Sequence, residues 1–220
     1  MPNTQLHTAI SGPRYSRYYL ACGSNRKALR LYKANIILSK EMYAVIGVFE
    51  IILRNSIDRH MTSTKGAAWL ESAVDAGGYL DINPGCEDSF HAVQEAIQFL
   101  GIQYTHDRLI AKLTLGFWRF QFAPKEFAAS GSTLLDIFVN RPFGTKQKDV
   151  LQKLIKINDI RNRIAHHEPI CFDRSIISVE RTQRRYTAIL ELLQWMGCDP
   201  GKILHGIDGV QKAIEAITRV

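Results

Sequence analysis

The amino-acid sequence predicts an all-α fold in a single domain, and three observations predict it. Strand-like alternation of apolar and polar residues is almost absent. Apolar residues instead recur at three-to-four spacing along most of the chain, the period of a helix with one buried face. The 220 residues, 46% hydrophobic and 22% charged, show no internal repeat, low-complexity tract or interdomain linker. A chain of this length buries about 70% of the surface its unfolded form exposes, enough for one core. The domain is therefore expected to span residues 1–220.

Taken in order, Ser24 is placed to cap a helix running to about Leu38, and Ser39 to cap the next, reaching about Met61. In the second, Met42, Val45, Ile46, Phe49, Leu53 and Ile57 form a core-facing stripe. A shorter helix is expected over residues 64–76. The loop over 77–88 follows from Gly77, Gly78, Pro84 and Gly85. Helices are then expected over 89–101 and 106–122, the latter directing Leu109, Leu113, Phe117 and Phe120 inward. Residues 131–144 begin with a short helix and are broken by Pro142. A long amphipathic helix over 146–166 carries Val150, Leu151, Leu154, Ile157 and Ile164. Pro169 cannot extend it and discourages helix at Glu168. A helical hairpin over 175–196 and 202–220 completes the chain.

Composition excludes several classes. The longest uninterrupted apolar run, Tyr43–Phe49, falls far short of the ~20 residues of a membrane-spanning helix. The first twenty residues lack the basic start, apolar core and cleavage site of a signal peptide. Cys22, Cys86, Cys171 and Cys198 are scattered, with no CxxC pair. These features predict a soluble protein of the reducing cytoplasm, without a membrane, collagen or disulfide-scaffold role.

The net charge of +7 is unevenly placed. Residues 1–60 hold 9 basic against 3 acidic groups, residues 61–142 hold 6 against 9, and residues 143–220 hold 13 against 9. The excess lies in Arg26, Lys27, Arg30 and Lys33, and again in Arg181, Arg184 and Arg185. Lys and Arg displace condensed counterions from phosphates, so RNA or DNA suits such a field; solvated helix faces are the bland alternative.

Three segments carry chemistry. Arg161-Asn162-Arg163-Ile164-Ala165-His166-His167-Glu168-Pro169 places two guanidiniums, an amide and two imidazoles at a helix C-terminus. Arg161 and His166 stand about 7.5 Å apart along the axis and ~140° around it, so they flank a phosphate only where the helix end faces a cleft. Arg offers a fixed charge and forked donors to a phosphate. His titrates near neutrality and can move protons, and Asn162 can orient a hydroxyl or a nonbridging oxygen. These groups suffice for metal-free RNA cleavage. The structural alternative is that Arg163 and one histidine only complement the helix dipole. Adjacent His166 and His167 diverge by ~100° on a helix, and no HExxH or Cys pair completes a zinc site. Neither metal nor cofactor is expected.

In Phe49-Glu50-Ile51-Ile52-Leu53-Arg54-Asn55, Glu50 stands within the inward stripe and needs a partner, since a lone buried carboxylate is costly. Arg54, one turn on, is one candidate; Arg161 or His166 across a helix interface is another. In Leu113-Thr114-Leu115-Gly116-Phe117-Trp118-Arg119-Phe120, the aromatic spacing fits core packing. Gly116 allows close approach of a helix, and Arg119 is a candidate phosphate contact.

Together and in this order, ALRLYKANIILSKEMY, FEIILRNSIDRH, KLTLGFW and INDIRNRIAHHEPI resemble the Abi-like (abortive infection) family of the HEPN superfamily. The resemblance covers about Ile10 to Met196. Leu115 departs from it where the family often has Phe, a change that touches packing. The resemblance implies a helical HEPN-like bundle with additional peripheral helices. It also implies a metal-independent endoribonuclease, commonly a toxin or antiphage effector. The motif of Arg, polar residue and His falls on Arg161, Asn162 and His166, with His167 as a neighbour able to substitute or assist.

Such proteins typically dimerise so that two motifs face one cleft, which doubles the acid–base groups on offer. The expected partners are thus RNA, a second copy of the chain and an antitoxin or regulatory protein. Glu50, Arg54, Asn55 and Arg163 would support the site, and Arg119, Arg181, Arg184 and Arg185 would hold RNA. Two rivals are a noncatalytic HEPN module binding RNA, nucleotide or protein, and a helical scaffold whose motif only stabilises a dimer.

Overall fold

One helix of 41 residues sets the frame. The computed structural model describes residues 9–220, in which α1 (Gly12–Cys22) leads into α2 (Asn25–Lys65). Ser24 caps α2 as its hydroxyl suggests, accepting from the Lys27 N–H at 3.4 Å. Gly66, at φ 95°, ends it in a conformation that suits glycine.

The break expected at Ser39 is absent, and α2 runs straight through. Leu31, Leu38, Met42, Val45, Phe49, Leu53, Ile57 and Met61 are all buried, so one apolar stripe spans the supposed junction. A lone serine, with no proline or left-handed residue beside it, cannot interrupt a stripe anchored on both sides.

After α2 come α3 (Trp69–Ser72), α4 (Glu87–Leu100), α5 (His106–Lys112), α6 (Leu115–Phe120), α7 (Pro124–Ala129) and α8 (Gln147–Ala165). Strands β1 (Phe172–Asp173) and β2 (Ile176–Ile177) precede α9 (Glu180–Trp195), α10 (Pro200–Ile203) and α11 (Val210–Thr218). Helix makes up 69% of the structure and strand 2%, so the architecture is all-α. No helix among the described residues is long and apolar enough to cross a membrane.

Three further differences from the expected elements have local causes. The helix expected over 64–76 shrinks to the single turn α3, because Gly66 has already turned the chain. The helix expected over 106–122 divides, since Leu113 is extended at φ −77°, ψ 141°; its carbonyl instead accepts from the Trp118 indole N–H at 3.3 Å. The hairpin β1–β2 pairs Phe172 with Ile177 and Asp173 with Ile176, where no strand was expected. Two-residue strands leave no period to detect, and Arg174, at φ 51°, makes the turn without the usual glycine or asparagine.

The residue contacts fall into two compact units. The first holds the described residues up to Gly47 together with Asp159–Ile189 and Gly201–Val220. Its buried residues include Leu31, Leu38 and Met42 of α2, Ile160 and Ile164 of α8, Phe172 of β1, and Val210, Ile214 and Ile217 of α11. The second holds Val48–Asn158 and Leu190–Pro200. There Phe49, Leu53, Ile57, Trp69, Trp118, Phe122, Phe138, Leu154 and Leu192 are buried. Within it Ser89 Oγ donates to the buried Glu126 at 3.1 Å, and the half-buried Asp58 accepts from the Trp69 indole at 2.8 Å. His106 Nε2 lies 2.7 Å from the same Asp58 oxygen. A Cβ on Gly116 would meet nothing closer than 3.4 Å, so that glycine is not required for close packing.

Candidate active site

The C-terminus of α8 closes with a capping motif whose chemistry differs from the usual one. His167 N–H donates to the Ile164 carbonyl at 2.9 Å and Glu168 N–H to the Arg163 carbonyl at 2.8 Å. These are the two bonds of a Schellman motif, and His167 occupies the left-handed position at φ 56°, where glycine is preferred. The apolar contact that commonly completes the motif is here an ion pair, Arg163 Nε to Glu168 Oε2 at 3.4 Å. Arg163 Nη2 also donates to the Pro169 carbonyl at 2.7 Å. Arg163 therefore holds the chain exit from α8.

The residues just beyond are pinned from two helices. The backbone N–H groups of Ile170 and Cys171 donate to the buried Asn35 Oδ1 at 2.9 and 3.2 Å. The Ile170 carbonyl accepts from the buried Thr182 hydroxyl at 2.7 Å. Burial pushes the neighbouring Cys171 thiol up to about 12, so it stays protonated and unreactive.

On this braced end, Asn162, His166 and His167 are exposed and Arg161 is half-exposed. Arg161 Nη1 donates to Asn162 Oδ1 at 3.4 Å, a long hydrogen bond that uses one of the five donors of the fork. His166 N–H still bonds the Asn162 carbonyl at 2.9 Å, so it continues the helical turn and keeps the ~140° offset from Arg161. Among the described residues Asn162 and His166 are exposed and Arg161 is partly so, and the helical geometry sets Arg161 and His166 on separate faces of α8.

Beside them lies a cavity of about 460 Å³ in the first unit. Ile36, Ser39, Lys40 and Tyr43 of α2 form one wall, above the buried Asn35. Ile164, Ala165, His167 and Glu168 form the other. Of the two adjacent histidines, His167 lines the cavity and His166 does not.

The remaining candidates are placed as follows. Glu50, Arg54 and Asn55 lie in the second unit. Glu50 is half-buried and engages a partner, so it is not the stranded core carboxylate its position suggested. Arg54 keeps its Nε buried without a hydrogen-bond partner. Arg119, also in the second unit, lies 4.1 Å over the Phe120 ring. Burial lowers its pKa, and nearby Glu126 opposes that shift.

The arginines of α9 are engaged locally. Arg181 pairs with Asp173 at 3.2 Å, Arg184 with Glu180 at 3.3 Å, and Arg185 donates to the Arg181 carbonyl at 3.3 Å. Burial lowers the pKa of Arg185, and the positive charge of Arg181 adds to that shift. The positive field of this stretch is thereby partly answered by its own carboxylates. Among the described residues, no three His, Cys, Asp or Glu side chains come together as a metal-ligand set.

None of Asn35, Ser39, Lys40, Tyr43 and Glu168 was expected to line a site. One signal was present: Ile36, Lys40 and Tyr43 recur at four and three residues on the side of α2 away from the core stripe, and Ile36 and Tyr43 remain about half exposed. No family model, curated protein or solved structure matches the chain.

Proposed function

We propose that the chain is a metal-independent endoribonuclease of HEPN type, an Abi-like toxin or antiphage effector that works as a homodimer on RNA. The observation that carries this reading is the solvent-reachable Arg161-Asn162-His166 group on a helix end braced by Arg163, Asn35 and Thr182. A histidine takes the proton from a ribose 2′-OH, and the freed oxygen attacks the adjacent phosphorus. The bond from phosphorus to the 5′-oxygen breaks, and a protonated histidine supplies that oxygen with a proton. The products are a 2′,3′-cyclic phosphate and a 5′-hydroxyl. Arg161 stabilises the charge that grows on the phosphoryl oxygens, and Asn162 orients the nucleophile or a nonbridging oxygen.

The angular offset between Arg161 and His166 favours two chains over one. A two-fold axis brings a second copy of each group to one phosphate, so one imidazole can act as base while another acts as acid.

The test uses purified protein and RNA with EDTA present, with product ends read by mass spectrometry. Cyclic-phosphate ends that vanish in Arg161→Ala and His166→Ala are expected. Cleavage that survives His166→Ala counts against this assignment of the base or acid. Affinity without any turnover in the wild type favours a noncatalytic binding module.

A further inference from the structure

We infer that the cavity between α2 and the C-terminus of α8 is a nucleobase subsite that selects guanine next to the scissile phosphate; this rests on the endoribonuclease reading above. Position comes first. Ala165, on the cavity wall, stands one helical turn beyond Arg161 on nearly the same face, about 6 Å along the axis. A nucleotide whose base enters the cavity therefore carries its phosphate toward Arg161 and Asn162.

The lining suits a base. Tyr43, half-exposed at 50%, offers a ring on which a base can stack, and Ile164 and Ala165 give an apolar opposite wall. The polar rim then discriminates. Glu168 has two carboxylate oxygens, and the Arg163 contact engages Oε2 from one side. The remaining lone pairs can accept the adjacent N1–H and N2–H donors of guanine, a pair no other standard base presents. Lys40 can donate to the guanine O6 and N7 acceptors. Its present contact, Glu41 at 2.8 Å with the lysine 73% exposed, is a surface pair that yields easily.

A second copy of the chain is the rival occupant. The cores of protein interfaces are depleted in Lys and Glu, whereas this rim presents both beside His167.

His167 also lines this cavity, on a left-handed backbone that histidine adopts more readily than most residues.

The experiment measures fluorescence anisotropy of short uncleavable 2′-O-methyl oligonucleotides carrying one guanine, adenine, cytosine or uracil in a constant background. Wild type, Tyr43→Ala, Tyr43→Phe and Glu168→Gln are compared, and cleavage of unmodified RNA is followed in parallel. The guanine probe is expected to bind wild type tightest. Tyr43→Ala should weaken it about 5- to 100-fold, Tyr43→Phe should restore it, and Glu168→Gln should erase the preference for guanine over adenine.

Equal binding of all four probes, or full affinity in Tyr43→Ala, overturns the proposal. Loss of a wild-type dimer in Tyr43→Ala, with no base preference, assigns the cavity to a subunit interface and also overturns it. Guanine binding without cleavage leaves the subsite standing and removes the nuclease reading. Cleavage without base preference does the reverse.

Discussion

The amide oxygen of Asn35 lies 2.9 Å from the backbone nitrogen of Ile170, across 135 residues of sequence. This one side chain, 3% exposed, satisfies two consecutive buried N–H groups immediately after the proposed catalytic helix end. Its position decides where the His166-His167-Glu168-Pro169 segment leaves α8.

Asn35→Ala should therefore orphan two buried donors and destabilise the protein by about 2–4 kcal/mol. Urea unfolding reads the loss directly. A midpoint unchanged from wild type would show that water or a backbone shift replaces the amide.

Replacement of the left-handed His167 by Gly should stabilise the chain by about 0.5–1 kcal/mol, because the αL penalty for a residue with a Cβ exceeds the entropy cost of glycine. His167→Ile should destabilise it, since a β-branched side chain is worst in that region. Thermal unfolding of both variants checks the sign. A less stable Gly variant would mean that the histidine side chain itself supplies stability.

The two arginines of the motif should separate cleanly. Arg161→Ala is expected to leave the melting temperature nearly unchanged while lowering RNA cleavage by about 10²–10³-fold, the scale for loss of one transition-state donor. Arg163→Ala should cost about 1–3 kcal/mol of stability through the Pro169 carbonyl it abandons. If both variants lost only stability, the phosphate role of Arg161 would fail.

Alkaline pH should unfold the protein earlier than its surface charges alone would. Cys171 titrates near 12 in the folded chain against about 8.5 unfolded, and burial raises the Tyr18 phenol as well. The unfolded state thus gives up these protons first. The stabilisation is fully present below about pH 8.5 and drains away as pH rises toward 12. Comparing urea midpoints at pH 8 and pH 10.5 should show a smaller drop in Cys171→Ala than in wild type. Equal drops would assign the alkaline loss elsewhere.

Periodicity made the helices legible because a buried stripe must repeat every 3.6 residues whatever the fold around it. The core faces of α2 and α8 were visible for that reason, and so was the capping role of Ser24. The split at Leu113 was not, because Leu109, Leu113 and Phe117 keep helical spacing across it; what breaks the helix is the Trp118 indole, which claims the Leu113 carbonyl. Likewise Glu50 read as a core residue, although it sits half-buried beside the stripe.

The sequence by itself determined the all-α class and the residue types gathered at the end of α8, since both follow from local pattern and order along one helix. Only the tertiary structure decided that Arg163 is a brace, that Asn35 anchors the exit, and that Tyr43 and Glu168 share a cavity. These pairings join stretches more than a hundred residues apart or depend on a single left-handed residue, and hydrophobic spacing carries no record of which distant side chain meets which.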